Sequence, residues 1–477
     1  MLGERRRRAC CSSPTLLFAA AFAVIATFLP RPAAGADGTP VGHASTSSRG
    51  VTATTINVAF PVANLDALAS TYGFAGDVEY TEQAKAIHLF VNQINDGGGI
   101  NGRTINPIIT SYNPANDASM QALCDDWTQG SPAVFAVLDG VGTYEGADQL
   151  CVTQQGHTPF LSQWTTVSTF THAGSPYLWW TGPDDAALLR ALVDWGKSEG
   201  TIGGSAKLGV VVGDRASDQT ALHRYLLPDL SRLHVTPLVE TMPAQTSEDA
   251  ATASDSTLIV EKLRQAGATS VIPLIPFNAF LPMLVAQTQQ QYFPKLLLSD
   301  YEDSIESALG LIPVPFGKAL NGQDGLTTET LGGIDDPRPY AQGGYDPGVR
   351  SCWNVWHKAY PQIPKGNMND DIEEQGPVQG WCQEIHLFAQ AARAAGKNLN
   401  RRTFVTAMSQ LKNFPGGYSP VLTYGPDKFY GPTQYQVVRL HVNTPPSSQC
   451  RRPPPTMPPE VVCWTPVQPW KPLPPPA

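Results

Sequence analysis

Short apolar runs and amphipathic stretches alternate along the chain from Val51 to about Val442. The run Leu208-Gly209-Val210-Val211-Val212 has no polar side chain, which is typical of a strand buried on both faces of a sheet. The alternation predicts an α/β fold with parallel sheets that are covered by helices. The apolar runs predict strands at residues 56–60, 104–112, 133–139, 159–162, 207–213, 235–241, 270–275 and 295–299. The amphipathic stretches predict helices at residues 81–94, 117–127, 185–200, 219–233, 255–266 and 280–291.

The C-terminal part of the chain departs from this alternation. Residues 344–408 have a mostly helical pattern, with the clearest helices predicted at 351–360 and 378–395. Of the 33 residues from 445 to 477, 13 are proline, which excludes a helix or a central strand there. We therefore expect an extended polyproline tail over residues 447–477, surface-lying or disordered, from which Trp464 and Trp470 are candidates to dock on the body. A partner-binding role for this tail is the alternative.

The first 36 residues have the pattern of a secretory signal peptide. Arg5–Arg8 form a basic region, Leu16–Leu29 an apolar region, and Ala34-Gly35-Ala36 a cleavage site. The apolar region is shorter than the ~20 residues that a membrane-spanning helix needs. Cys10 and Cys11 precede it, whereas the lipidated cysteine of a bacterial lipoprotein follows it. We expect an extracytoplasmic protein, cleaved near Ala36, with residues 37–50 as a flexible mature N-terminus.

The negative charge of the chain argues against two classes of binding partner. The full chain has 32 basic and 41 acidic side chains and a net charge of −9. Its first 36 residues carry five arginines and one glutamate, so the net charge without them is −13. An acidic exported chain repels phosphate backbones and anionic lipid, and we expect it to bind neither nucleic acid nor a membrane surface.

An even number of cysteines follows the signal peptide, which in an oxidising compartment indicates disulfides. No two of these cysteines have C-x-x-C spacing and no histidine pair lies nearby, so no metal site is predicted. Their order along the chain suggests the pairs Cys124–Cys151, Cys352–Cys382 and Cys450–Cys463, which is one of fifteen connectivities.

The run from Val91 to Arg103 is the most informative in the chain. It reads Val-Asn-Gln-Ile-Asn-Asp-Gly-Gly-Gly-Ile-Asn-Gly-Arg and joins a predicted helix to a predicted strand. The glycines supply a helix C-cap and a turn that has no Cβ clash. With the preceding strand and helix, this run resembles the start of type I periplasmic binding proteins of the branched-chain-amino-acid-binding kind. These are the solute receptors of ABC importers, and in them an Ala-Gly-Gly-Ile-Asn-Gly-Arg corner follows the same elements.

This resemblance implies two doubly wound parallel-sheet lobes joined by three crossing strands, to which the proline-rich tail is added. A solute is expected in the cleft between the lobes, where the carboxyl ends of the strands meet. Lobe 1 is expected at residues 51–180 and 333–422, and lobe 2 at residues 183–331 and 432–446. The crossings are expected near residues 181–183, 330–332 and 425–427.

In lobe 1 the resemblance implies ligand contacts in three loops that follow strands. Tyr72 matches a tyrosine that contacts the ligand side chain, with packing on its own lobe as the alternative. Thr143 lies in a glycine-rich turn and matches a residue that holds the ligand carboxylate, although its hydroxyl could equally be an N-cap. Thr166, which follows Thr165, matches a second carboxylate-binding threonine. Trp164 replaces a small residue at the cleft, which favours a flatter or smaller ligand than leucine, or stacking on the ligand.

In lobe 2 the resemblance implies contacts from Asp214, Phe277, Tyr301 and Glu302, each just past a predicted strand. In amino-acid receptors an acidic residue that matches Glu302 pairs with the ammonium group of the ligand. The alternative is an acid that favours the positive end of the next helix. Receptors of this kind usually have a Tyr-Gly pair near position 218, and this chain lacks it, which again argues against plain branched-chain amino acids.

The sequence contains no G-x-S-x-G elbow, no H-E-x-x-H motif and no Walker loop. The run Gly140–Gly146 has the spacing G-x-G-x-x-x-G, which differs from a dinucleotide fingerprint. The prediction is therefore a monomeric receptor without a cofactor. The two threonines hold the anionic end of a solute, the acidic loop holds its cationic end, and hinge closure presents it to a membrane permease. An extracytoplasmic sensor or scavenger with the same fold and no transport role is the alternative.

Overall fold

The computed structural model describes residues 48–64, 80–113, 117–140, 147–163, 168–244, 249–301, 316–329, 347–361, 377–444 and 461–476. The predicted signal peptide lies outside these residues. Across the described ranges, no helix combines the length and apolar character that crossing a bilayer requires.

Strands and helices alternate along most of the described chain. The strands are β1 (Thr55–Ala63), β2 (Thr104–Tyr112), β3 (Ala136–Asp139), β4 (Phe160–Ser162), β5 (Leu178–Trp180), β6 (Leu208–Gly213), β7 (Leu238–Met242), β8 (Ser270–Leu274), β9 (Lys295–Ser299), β10 (Asp324–Thr327), β11 (Gln434–Thr444), β12 (Val461–Pro466) and β13 (Lys471–Pro472). The α-helices are α1 (Tyr80–Asp96), α2 (Asp117–Gln129), α3 (Ala147–Leu150), α4 (Ser168–Gly174), α5 (Asp185–Ser198), α6 (Ala216–Thr220), α7 (Leu227–Arg232), α8 (Asp249–Ala266), α9 (Phe277–Gln290), α10 (Gly317–Leu320), α11 (Pro347–Ala359), α12 (Cys382–Ala394) and α13 (Arg401–Gln410). Three π-helical segments adjoin α3, α6 and α12, at Cys151–Gln155, Ala221–Leu226 and Pro377–Trp381.

The first sheet is parallel throughout and has the strand order β2-β1-β3-β4-β5. Successive side chains of β1 point to opposite faces. On one face, Val58 and Phe60 join a core that includes residues of α1, α11, α12 and α13. On the other face, Ala59 packs in a core with Trp127 of α2. The first sheet is therefore covered on both sides, partly by helices that come much later in the chain.

The second sheet has the strand order β12-β11-β10-β9-β8-β6-β7. Strands β6 to β10 run parallel, whereas β11 is antiparallel to β10 and β12 is antiparallel to β11. Val211 lies in a core with residues of α8 and α9, and Val210 and Val212 lie in a core with residues of α5. The fold is thus α/β with two mainly parallel sheets, which confirms the predicted class.

The glycine corner before β2 forms as its sequence predicts. Helix α1 ends at Asp96, the N–H of Gly99 donates to the carbonyl of Ile94 at 2.9 Å, and β2 begins at Thr104. Gly98 and Gly99 have φ angles of 94° and 69°, in the left-handed region that favours glycine. A Cβ on Gly99 would also meet the carbonyl oxygen of Arg103.

Two of the three predicted disulfides are present, Cys124–Cys151 and Cys352–Cys382. The first joins α2 to the π-helical segment after α3, and the second joins α11 to the start of α12. Cys450 lies outside the described residues, so its pairing with Cys463 stays a prediction.

Part of the proline-rich tail is a strand. β12 pairs with residues 438–444 of β11. The side chain of Trp464 is fully buried in the core that also contains residues of α8 and α9. β13 then pairs with Gln434 and Tyr435, and Arg190 donates to the carbonyl of Pro475 at 3.2 Å. The expected docking of Trp464 occurs, but residues 461–466 are an edge strand rather than polyproline. An edge tolerates proline because one side of its backbone needs no partner.

Candidate functional site

Polar side chains are buried where three strands of the first sheet end. Asp139 ends β3, Ser162 ends β4, and Thr181 follows β5; all three are at most 2% exposed. Ser162 Oγ donates to Asp139 Oδ2 at 3.5 Å and accepts from Gln149 Nε2 at 3.4 Å. The backbone N–H of Thr181 donates to the Ser162 carbonyl at 2.8 Å. These bonds form one network along the carboxyl edge of the sheet, the edge where ligands of open α/β sheets bind.

Glu384 of α12 completes this network from the helical side and is fully buried. Its Oε1 lies 2.8 Å from Thr181 Oγ1, which is also 3.2 Å from the Ser162 carbonyl oxygen. Thr181 has one hydroxyl hydrogen and cannot donate to both oxygens at once. The shorter contact is the one to Glu384 Oε1, to which the Thr181 hydroxyl donates, and both the ionised and the protonated form of Glu384 can accept this bond. Glu384 Oε2 has no hydrogen-bond partner among the described residues.

The surroundings of Glu384 favour this protonated form. Burial raises the pKa of Glu384 well above its ordinary value, and the neighbouring Asp139 carboxylate raises it further. The Thr181 hydroxyl acts in the opposite direction and lowers the pKa, but burial is the largest of the three causes. The sheet edge therefore carries an acid whose neutral form is favoured by burial, next to a second buried carboxyl group.

Two glycines bring α12 close enough to this edge. A Cβ on Gly380 would meet the Gly140 carbonyl oxygen and, at 2.5 Å, Gln163 Oε1. A Cβ on Gly140 would lie 2.6 Å from Cε3 of Trp381, a fully buried indole whose ring meets that of Phe60 edge to face at 5.8 Å. Neither position has room for a side chain, because backbone meets backbone there.

The lobe 1 ligand residues predicted from the sequence, Tyr72, Thr143, Trp164, Thr165 and Thr166, lie outside the described residues. The network nevertheless adjoins the loops that carry four of them. Loop 141–146 lies between the Asp139–Gly140 strand end and α3, which carries Gln149; loop 164–167 follows Ser162 and Gln163 directly.

The second sheet also buries a carboxyl group near its carboxyl edge. Asp218 of α6 is fully buried and accepts from Arg215 Nε at 2.8 Å and from Arg215 Nη2 at 2.9 Å. The hydroxyl of Tyr301, itself 2% exposed, donates to Asp218 Oδ1 at 2.7 Å. A Cβ on Gly213 would clash with Asp218 Oδ2, so the strand-end glycine makes room for this carboxylate.

Three of the four ligand candidates in lobe 2 lie among the described residues. Asp214 is exposed, and its Oδ1 accepts from the N–H of Ala244 at 3.0 Å. Tyr301 uses its hydroxyl on Asp218. Phe277 is the first residue of α9, just past β8, and Glu302 lies outside the described residues. The four ligand roles stay predictions.

Polar side chains make hydrogen bonds at two of the places where the chain passes from one sheet to the other. Asp184 caps α5 by accepting from the N–H groups of Ala186 and Ala187 at 3.0 and 3.2 Å. Lys428 Nζ donates to the carbonyl oxygens of Tyr430 and of Thr423, at 2.6 and 2.7 Å. Burial, and secondarily Lys412, lowers the pKa of Lys428 to about 7, against the opposing effect of Asp184.

The described residues contain one close group of potential metal ligands, Cys124, Asp125 and Cys151. Its two cysteines form a disulfide, and a disulfide has no thiolate to offer a metal.

Similar folds are found among solved ABC transporter receptors. The 4-hydroxybenzoate complex of a solute-binding protein from R. palustris gives a TM-score of 0.63 at 14% identity, covering 88% of this chain and 98% of that one. A fatty acid ABC transporter substrate-binding protein from Thermomonospora curvata gives a TM-score of 0.57 at 17% identity, covering 86% of this chain and 91% of that one. A substrate-binding protein from Desulfitobacterium hafniense in complex with Leu gives a TM-score of 0.54 at 14% identity, covering 81% of this chain and 97% of that one.

No curated protein sequence matches the chain significantly. The family model described as periplasmic binding protein, by contrast, matches residues 68–443. That family and the similar structures are solute-binding proteins rather than enzymes, and membership implies an extracytoplasmic location. The chain belongs to the periplasmic binding protein family, with the type I, branched-chain-amino-acid-binding-like fold.

Proposed function

We propose that the protein captures a small polar solute, an amino acid or a related carboxylate or amide, between its two lobes for an ABC importer. The observation that carries this proposal is the buried network at the carboxyl edge of the first sheet. Its members Asp139, Gln149 and Ser162 are hydrogen-bonded through their side chains and lie close in sequence to residues 141–146 and 164–167, which carry the predicted ligand contacts. A ligand site needs such support, because its first contacts hold their geometry only when the residues behind them are fixed.

The class of solute follows from the loops and from the relatives. Thr143 and Thr166 would hold an anionic group on lobe 1, aided by the backbone N–H groups of a glycine-rich turn at a helix start. The similar structures are a leucine complex, a 4-hydroxybenzoate complex and a fatty acid transporter protein, and all three solutes carry a carboxylate. Trp164 would offer a flat surface on which an aromatic or compact solute stacks.

On lobe 2, Glu302 would pair with a cationic group when the solute has one, a charge-assisted bond of about 1.5–3 kcal/mol. Closure of the lobes then buries the solute and forms the surface that the permease contacts. A solute without an ammonium group would leave this contact unused.

Thermal unfolding against a panel of amino acids, amides and aromatic and aliphatic carboxylates tests the proposal. A solute at about a hundredfold over its Kd stabilises the protein by about 2.7 kcal/mol, which raises Tm by a few degrees. We expect a shift with one carboxylate class that Thr166→Ala abolishes. If only zwitterions shift Tm and Glu302→Ala also abolishes the shift, the carboxylate contact of Thr166 and the ammonium contact of Glu302 are both supported. A shift with simple carboxylates alone would remove the role of Glu302, and no shift with any solute would contradict the proposal.

A further inference from the structure

The C-terminal segment 467–476 is not used by the proposed ligand contacts. It follows β12 and runs back along β11 toward the start of that strand. The N–H of Val467 donates to the carbonyl of Val437 at 2.8 Å, and β13 pairs with the first two residues of β11. The N–H of Leu473 then donates to the carbonyl of Thr433 at 2.9 Å. The segment therefore stays paired up to the residue that precedes β11.

The start of β11 takes its backbone pairing from this segment. β10, the neighbour on the other side of β11, pairs only with residues 436–439. Gln434 and Tyr435 pair with β13 instead. The side chain of Tyr435 is buried in the core that contains residues of α5, and Leu473 packs against the same core. Among the described residues, the tail thus holds both the backbone and the buried side chain at the start of β11.

Helix α5 holds the same segment at two points. Arg190 Nη1 donates to the carbonyl of Pro475 at 3.2 Å. Gln468 Nε2 donates to Oε1 of Glu199, the residue that caps the end of α5, at 3.3 Å. The carbonyl of Gln468 also accepts from Gln436 Nε2 of β11 at 3.1 Å. The segment therefore connects α5 to β11.

Both α5 and β11 begin directly after the chain has left the first sheet. Thr181 still donates its N–H to β4, and α5 starts at residue 185, so a first passage covers residues 182–184. Tyr430 still bridges to β5, and β11 starts at residue 434, so a last passage covers residues 431–433. Each passage contains a Gly-Pro pair. The tail thus connects the two elements into which these passages lead.

We propose that residues 467–476 are a hinge strap, which fixes the far ends of the first and last passages to one another. The inference rests on the proposed function, because the strap acts on capture only when the lobes move. With the strap in place, bending is confined to the two Gly-Pro pairs and both passages turn together. Without it, the first residues of β11 would fray, because a strand end with no paired neighbour opens locally. Part of the closing motion would then be taken up inside β11.

The first test needs no solute and measures amide hydrogen exchange of the full chain by mass spectrometry with residue-resolving fragmentation. The N–H of Tyr435 faces β13, whereas the N–H of Val438 faces β10, because alternate residues of a strand bond to opposite neighbours. Leu473→Asp places a carboxylate against an apolar core and should release the strap. We expect exchange at Tyr435 to become at least about tenfold faster, while Val438 keeps its wild-type rate.

Leu258→Asp is the matched control, because Leu258 of α8 is 56% exposed and its replacement should change neither amide. Leu473→Ala weakens the same contact more mildly and replaces Leu473→Asp if that variant does not fold. An unchanged rate at Tyr435 in the strap variant would overturn the proposal. Equal acceleration at Tyr435 and Val438 would also overturn it, because it would report general destabilisation rather than release of the strap.

The second test repeats the exchange measurement with 4-hydroxybenzoate and with leucine as probes. In wild type we expect a bound probe to change the rates at Gly182 and Gly431 together and to leave Tyr435 unchanged. In Leu473→Asp we expect Tyr435 to respond to the probe as well. A wild-type Tyr435 that responds as strongly as Gly431 would overturn the strap, because bending would then extend into β11. Absence of binding by both probes would count against the proposed solute class, and the solute-free rates at Tyr435 would then decide on the strap alone.

Discussion

A buried carboxyl group near the carboxyl edge of each sheet, Asp218 at the second and Glu384 at the first, has a different set of partners. Asp218 beside the second sheet has a bidentate arginine and a tyrosine hydroxyl as partners. Glu384 beside the first sheet has one threonine hydroxyl, a second carboxyl group nearby and an oxygen without a described partner. Asp218 has a cation and a hydroxyl donor as partners, whereas for Glu384 burial favours the neutral form of the acid.

The largest expected effect comes from removing the acid that is paired with a cation. Asp218→Ala removes the carboxylate that accepts two hydrogen bonds from the partly exposed Arg215 guanidinium and one from the Tyr301 hydroxyl. We expect a loss of about 3 kcal/mol in the free energy of unfolding, because Asp218 is fully buried and its removal breaks three hydrogen bonds, two of them charge-assisted. Denaturant unfolding measures it. Asp194→Ala, which removes an exposed partner of Arg232, is the control and should cost at most about 1 kcal/mol. Equal losses in the two variants would show that Asp218 is not a buried anchor.

The next effect comes from forcing α12 away from the first sheet. In Gly380→Ala the new methyl group meets the Gly140 carbonyl oxygen, and backbone cannot give way as a side-chain tip can. We expect a loss of about 1–3 kcal/mol in unfolding free energy, together with a lower pKa of Glu384 as water reaches it.

Gly204→Ala is the control for this substitution. Its Cβ has no atom within 4 Å, but its φ of 62° is left-handed, so it measures the backbone cost alone, about 1–2 kcal/mol. If Gly204→Ala shifts the pH profile of unfolding as much as Gly380→Ala does, the profile does not report on the Glu384 network.

The smallest expected effect isolates the bond between Thr181 and Glu384. Thr181→Val keeps the shape of the side chain and removes its hydroxyl, at a cost of about 1 kcal/mol. In a double-mutant cycle with Glu384→Leu, which removes the carboxyl group, we expect a coupling energy of at least about 0.5 kcal/mol at acidic pH, where the acid of wild type is neutral in both the folded and the unfolded state. Thr406→Val, which removes a hydroxyl bonded within α13, should show no coupling. Additive losses for Thr181 and Glu384 would mean that the two groups do not act as a unit.

The sequence predicted the parallel sheets well because their strands are apolar and their corners carry glycine. β2 and β9 have the predicted bounds, and the first two disulfides are those that follow from order along the chain. β5 and β10 were not predicted as strands. β5 has only three residues, too few to show a period, and β10 contains Asp324 and Gly325, which are rare in strands.

The Glu384 network could not be found from sequence for a physical reason. A glutamate within an amphipathic helix ordinarily faces water, and nothing local distinguishes Glu384 from such a residue. Its burial depends on Gly140 and Gly380, which lie far apart in the chain and meet only in the folded protein. The glycine at 140 was visible as part of a strand-end turn, but its packing partner was not.

Capture of a solute by closure of the two lobes is tested most directly by small-angle X-ray scattering of the purified protein. The radius of gyration is measured with and without the solute that raises Tm most in the panel, at a saturating concentration. We predict that the solute makes wild type more compact, and that Thr166→Ala at the same concentration remains at the ligand-free value. A solute that raises Tm but leaves the radius of gyration of wild type unchanged would contradict capture by closure.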